Sequence, residues 1–298
     1  MDGIAAEWVC AYVTPIGRVQ IESDQPWARV WRVPIQGGVA WFKVCAPVQA
    51  FEPRLTTELF ERWPDRVAEV IAHDAERRWL LLADAGTPLR ALGNPPEAWL
   101  DLLPRYAELQ RSEAAHVTEH LRDGVPDLRV ATLPARYDDL LGRDLPLDDD
   151  AALRLSRFAP RFAHLCELLA ATGVPPSVQH DDLHAANLYV DRHRVRVLDW
   201  GDASISHPFA SLVATFRFLE ETNRLRPDDA WFARLRDAYL EVWGPDLAEV
   251  FALAMRVGSI AHAIAWMRQR DALPEHTRPA FDHAFTTILE RAVQQTLE

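Results

Sequence analysis

The spacing of apolar and polar positions changes period near residue 85. Between Trp8 and Val44 short apolar runs alternate with polar residues, and 19–22, 28–33 and 39–44 read as strands, with Gln36-Gly37-Gly38 as the turn joining the last two. A further apolar run at 79–82 ends in the small residues Ala83-Asp84-Ala85-Gly86, an expected edge strand and hinge. Beyond it Leu102, Tyr106 and Leu109 recur at helical spacing within 96–121, and the pair His116 and His120 on that helix is expected to face solvent. Asp148-Asp149-Asp150 precedes another helical pattern (Leu153, Leu155, Phe158), where aspartates satisfy orphan N–H groups and oppose the macrodipole. Pro160 is expected to open the next helix and Gly173 to close it. After Pro208 the stripes Phe209/Leu212/Phe216/Leu219 and Trp231/Leu235/Tyr239, then a nearly all-apolar 251–267, predict helices to the end of the chain. The result is an α+β expectation, with a β-rich part at 1–84 and a larger helical part at 85–298.

The stretch 178–202, VQHDDLHAANLYVDRHRVRVLDWGD, carries the candidate chemistry. Runs 188–190 and 195–198 flank the polar Asp191-Arg192-His193-Arg194 and predict a β-hairpin, which folds Asp199 back beside the loop holding His180, Asp182, His184 and Asn187. Two carboxylates and an amide brought together suit phosphoryl transfer: one carboxylate orients or deprotonates an attacking hydroxyl, and hard oxygens hold magnesium on nucleotide phosphates. A different use of the same residues is a transition-metal site of His180, Asp182 and His184, as in a metallohydrolase.

Composition narrows the picture only modestly. The 298 residues are 49% hydrophobic and 26% charged, as in ordinary folded proteins. A net charge of −12 gives a field of the wrong sign for nucleic acid and suits either a cationic or neutral substrate or simple solubility. Three cysteines without a CxxC, an N-terminus unlike a signal peptide and no run of eighteen apolar residues point to a cytoplasmic setting without a membrane partner.

His180-x-Asp182-x4-Asn187 followed by Leu198-Asp199-Trp200 resembles the catalytic signature of the aminoglycoside phosphotransferase and choline kinase-like enzymes, relatives of protein kinases. The resemblance implies a two-lobed kinase-like fold and transfer of the γ-phosphoryl group of ATP or GTP, with Mg2+, to a hydroxyl of a small acceptor. It implies Asp182 as base, Asn187 and Asp199 as metal ligands, and His180, His184 and Asp202 in support. Lys43, embedded in an apolar strand, becomes the lysine that reaches the phosphates, with Glu58 as its partner and Glu61 as the alternative. Residues Leu82, Ala83, Asp84 and Ala85 become the segment that meets the nucleotide base through backbone groups. A nucleotide-binding relative without turnover fits the same motif. Two departures stand out: Asp181 occupies a usual glycine position, which Asp enters more readily than most residues if the backbone is left-handed, and Ser206-His207 replaces a usual Gly-Asp. No glycine-rich phosphate loop is present in 23–27.

Overall fold

The computed structural model describes residues 1–191, 194–226 and 228–297; Arg192 and His193, at the expected hairpin turn, lie outside the described residues. The chain divides into two compact units, residues 1–93 with 185–201 and residues 94–184 with 202–298. The division falls at Gly93, beyond the expected boundary at 84/85, because the chain after the hinge still pairs with the 185–201 hairpin before leaving the first unit.

Helix α1 (Gly3–Cys10) opens the first unit, capped by Asp2, whose Oδ1 accepts from Ala5 N at 2.8 Å. It is followed by β1 (Gln20–Gln25), β2 (Ala28–Ile35), β3 (Gly38–Cys45), α2 (Glu52–Arg62), β4 (Val70–Asp74), β5 (Trp79–Ala83) and the short β6 (Thr87–Pro88). The first five strands form one antiparallel sheet in the order β1-β2-β3-β5-β4. β5 is therefore interior and β4 takes the edge. Alternation along β3 and β5 separates two faces. Ala40, Phe42, Trp79 and Leu81 pack with Ala5, Val9 and Trp8 of α1, whereas Leu80 and Leu82 pack with Trp41, Ala68 and Leu198.

The second unit takes up α3 (Pro96–Glu113), α4 (Val117–Arg122), α5 (Leu133–Leu141), α6 (Asp149–Ala170) and β7 (Ser177–Gln179). The chain then returns to the first unit for the hairpin β8 (Leu188–Asp191) and β9 (Arg194–Val197). β10 (Ser204–Ser206), α7 (Leu212–Asn223), α8 (Ala230–Glu241), α9 (Ala248–Ala272) and α10 (Pro279–Leu297) complete the second unit. By length and composition alone α9 could cross a membrane. Here it is a core helix, burying Val257, Ile260, Ala261 and Ala263 among α5, α6, α7 and α10.

Two helical expectations fail for physical reasons. Pro160 does not open a helix but lies within α6. The ring forfeits a bond to the carbonyl of Ser156, but both residues are exposed, so that carbonyl is open to solvent, while Phe158 and Phe162 pack on Tyr137 on either side of the proline. His120 is not solvent-facing: it is buried and its Nε2 lies 2.9 Å from Glu113 Oε2, a pairing made possible by the break between α3 and α4. Asp148 caps α6 as expected, accepting from Ala151 N at 2.7 Å.

Candidate active site

In the first unit the hairpin register sets Leu188 opposite Val197, and Leu198 N donates to Asn187 O at 2.9 Å. Asn187 and Asp199 thus lie at the same open end of the hairpin. Val197 also donates its N–H to Arg66 O, and Leu198 packs on Ala68, Leu80 and Leu82, which ties that end to the sheet. Asp199 has φ +63, a left-handed conformation that Asp tolerates better than most residues, and its side chain is 47% exposed.

Lys43 projects from β3 on the face away from α1. Its Nζ donates to Glu52 Oε1 at 2.6 Å and to Asp199 Oδ1 at 2.5 Å, and the residue is only 7% exposed. Burial works against the ammonium, but Asp199 and Glu52 outweigh it and hold the Lys43 pKa well above its ordinary value. The cation is therefore fixed between two carboxylates that lie nine and 156 residues away in sequence.

The glutamate on Lys43 is Glu52, not Glu58. Glu52 starts α2 and is 1% exposed, so the first turn of the helix faces β3. Glu58, six residues on and some two-thirds of a turn round at about 100° per residue, pairs with Arg54 at 3.1 Å. Glu61 is exposed near the end of the same helix. Glu52 was legible only as the residue before Pro53, a position favoured at helix starts. Cys45 Sγ adds a 3.2 Å contact to Glu52 Oε2.

The hinge segment is also placed more narrowly than expected. Leu82 and Ala83 still belong to β5, paired with Trp41 and Ala40, and Ala83 N donates to Glu69 O. Asp84 and Ala85 lie past the strand, where Asp84 Oδ1 accepts from Gly86 N at 3.1 Å. Gly86 must be glycine: at φ +102 an added Cβ would come 2.3 Å from the carbonyl oxygen of Val190 in β8.

In the second unit the loop after β7 is held at three residues by three helices. His180 N donates to Tyr106 Oη of α3 at 2.9 Å, Asp181 Oδ1 lies 3.0 Å from His262 Nδ1 of α9, and Leu183 O accepts from Thr215 Oγ1 of α7 at 2.8 Å. Gln110 steadies the approach, donating to Val178 O and accepting from Tyr239 Oη. Asp182 stands between the anchored residues with 30% of its side chain exposed, and His184 Nε2 donates to Asp182 Oδ2 at 3.2 Å. His184 also packs on Phe218, ring centroids 4.3 Å apart.

His180 is fully buried and its Nδ1 accepts from Asp182 N, so it serves the loop's own geometry. That use runs against a shared His180-Asp182-His184 metal site. Asp181 adopts φ +63, a conformation that costs an L-residue about 1–2 kcal/mol and Asp somewhat less. Asp202 Oδ1 accepts from Gln269 of α9 at 2.6 Å, a structural bond. At the second departure, Ser206 is the last residue of β10 and His207 Nδ1 accepts from Phe209 N at 3.3 Å, the capping job an aspartate could do.

Burial pushes the His207 pKa down to about 3. The unfolded chain therefore binds a proton near pH 6.5 that the folded chain refuses until much lower pH. Stability due to this residue is complete above pH 6.5 and is lost as pH falls, by about 1.4 kcal/mol per unit. His207→Asn, which keeps a capping acceptor, should flatten the urea-unfolding profile between pH 6.5 and 4 relative to the unaltered protein. Equal slopes in the two proteins would refute the assignment.

Residues 42–251 match the family model described as the phosphotransferase enzyme family. Sequence comparison with well-characterised proteins returns no match. Among solved structures the chain is similar to the choline kinase of Streptococcus pneumoniae, with TM-score 0.67, 12% identity and coverage of 99% of this chain and 98% of that one. It is similar to a spectinomycin phosphotransferase in complex with ADP and spectinomycin, TM-score 0.56, 12% identity, 98% of each chain. An amicoumacin kinase in complex with AMP-PNP, Ca2+ and Ami gives TM-score 0.61 at 11% identity, over 99% of this chain and 95% of that one. The antiparallel sheet followed by a helical unit is the two-lobed kinase-like fold that these structures share.

Proposed function

Because the chain belongs to the phosphotransferase enzyme family and is a small-molecule kinase acting on hydroxyl acceptors, we propose that it moves the γ-phosphoryl group of ATP or GTP to its acceptor using Lys43, Asp182, Asn187 and Asp199. The observation that carries this assignment is the buried Lys43 ammonium held between Glu52 and Asp199. A cation built into the sheet at that cost of desolvation serves an anion, and the nucleotide phosphates are the anion this chemistry requires. Asn187 and Asp199 offer oxygen donors only, which suits a hard divalent ion such as magnesium and not zinc. When bound, the ion offsets charge on the phosphates.

The chain's own residues do the rest. Lys43 donates to phosphate oxygens, steadied by Glu52. Asp182 aligns the acceptor hydroxyl and takes its proton, with His184 holding the carboxylate's orientation by donating to Oδ2. The backbone of Asp84 and Ala85 meets the base. Asp199→Ala should abolish metal-dependent nucleotide binding, read by calorimetry with and without magnesium; binding that survives would remove Asp199 from the metal site. The overall test is nucleoside diphosphate release across amino alcohols, sugars, aminoglycosides and macrolides with ATP and with GTP. No release with any acceptor, despite tight nucleotide binding, would overturn the reading in favour of a silent nucleotide-binding protein.

A further inference from the structure

The residue before the proposed base is the unusual one. Asp181 takes a left-handed backbone conformation, φ +63, that glycine would adopt without strain, yet its side chain is 4% exposed and committed to a histidine 81 residues away. His262 comes from the apolar α9 and its side chain is also 4% exposed. Its Nδ1 lies 3.0 Å from Asp181 Oδ1, and its Nε2 lies 3.5 Å from a terminal nitrogen of Arg217. A guanidinium has donors only, so Nε2 is the acceptor and Nδ1 bears the proton given to Asp181. The network thus runs Arg217 to His262 to Asp181, in one direction.

Arg217 also lies over the ring of its neighbour Phe218 at 4.7 Å, and Phe218 packs against His184, the donor to Asp182. Both residues flanking the Asp182 side chain's environment, 181 and 184, are therefore coupled to α7, one through His262 and one directly.

We propose that Asp181, His262 and Arg217 form a positioning relay that fixes the backbone presenting Asp182, so that a histidine on α9 governs the rate of phosphoryl transfer and not nucleotide binding. This rests on Asp182 being the residue that aligns the acceptor hydroxyl. The physical cause is that a buried carboxylate stripped of its donor must move or take up a proton, and the residue that would do so shares a peptide with Asp182. A glycine at 181 carries no such group, so the histidine is needed only because the aspartate is there.

The test is a double-mutant cycle over His262→Ala, Asp181→Gly and the pair, with His262→Asn as the conservative variant that keeps a donor near the Nδ1 position. Two quantities are read: kcat and nucleotide KM by diphosphate release with a productive acceptor, and amide hydrogen exchange over residues 180–184. His262→Ala should lower kcat about tenfold, the scale of coupling between contacting residues, with nucleotide KM unchanged and with faster exchange in the loop. His262→Asn should recover most of both. In the Asp181→Gly background, His262→Ala should have no further effect on kcat or exchange. Equal losses in both backgrounds, a matched change in KM, or undisturbed loop exchange would overturn the relay. If the unaltered protein transfers phosphoryl to no acceptor, the functional reading has failed, and the exchange cycle alone still decides the relay.

Discussion

Replacing Asp182 by asparagine is expected to lower kcat by about 10²–10⁴-fold, the usual contribution of a positioned general base, while nucleotide affinity stays as it was. The amide retains the shape of the carboxylate and can still contact His184, so the three helical anchors of the loop at 180, 181 and 183 persist. Loss of rate without loss of structure isolates proton acceptance and alignment of the hydroxyl from everything else the loop does. The comparison is single-turnover phosphoryl transfer against nucleotide titration by calorimetry. Collapse of binding with retained turnover would assign the base elsewhere.

The second large effect is expected at Lys43. Lys43→Met removes the cation from between Glu52 and Asp199 and leaves Glu52 as a buried carboxylate without it. Breaking a buried ion pair from one side costs about 3–5 kcal/mol, so chemical denaturation should show a loss of that order together with loss of nucleotide binding. Burial already pushes the Glu52 carboxyl up, opposed by Lys43. Without the lysine the folded pKa rises further above the unfolded value, so the destabilisation is greatest near pH 8 and shrinks as pH falls and the carboxyl protonates. Lys43→Met/Glu52→Gln should restore most of the stability and none of the binding. A double variant that binds nucleotide normally would show the ammonium to be structural.

Much of the first unit was legible because strand alternation and turn chemistry are local: β2, β3 and the β8–β9 pairing follow from residues within a few positions of each other. Lys43 stood out because a lysine inside an apolar strand demands an anion. What escaped was non-local or weakly patterned. Helix α1 is short, and its two buried residues Ala5 and Val9 make a thin stripe. Strand β4, with its polar His73 and Asp74, lacks the apolar run of an interior strand because it forms an edge. Glu52 escaped because the lysine's partner was sought at Glu58 and Glu61, farther along the helix that Glu52 itself begins. The Asp181–His262 pair spans 81 residues, and no periodicity within α9 distinguishes a histidine that bonds a loop from one that merely packs. Pro160 misled in the opposite direction, since aromatic packing on Tyr137 carries α6 through it.

The first unit is built from two pieces of chain separated by some ninety residues. On the ribosome, residues 1–93 emerge long before the segment that supplies Asp199 to Lys43, Val197 to the Arg66 carbonyl and β8 to Thr87 and Pro88. The five-stranded sheet lies wholly within residues 1–93, but its lysine waits for Asp199 and β6 waits for β8, so the unit completes only after synthesis has passed residue 201. Long-range closure of this kind is slow and exposes aggregation-prone edges, so a fragment ending at residue 93 should be recovered as insoluble material, and supplying 185–201 through a short linker should rescue it.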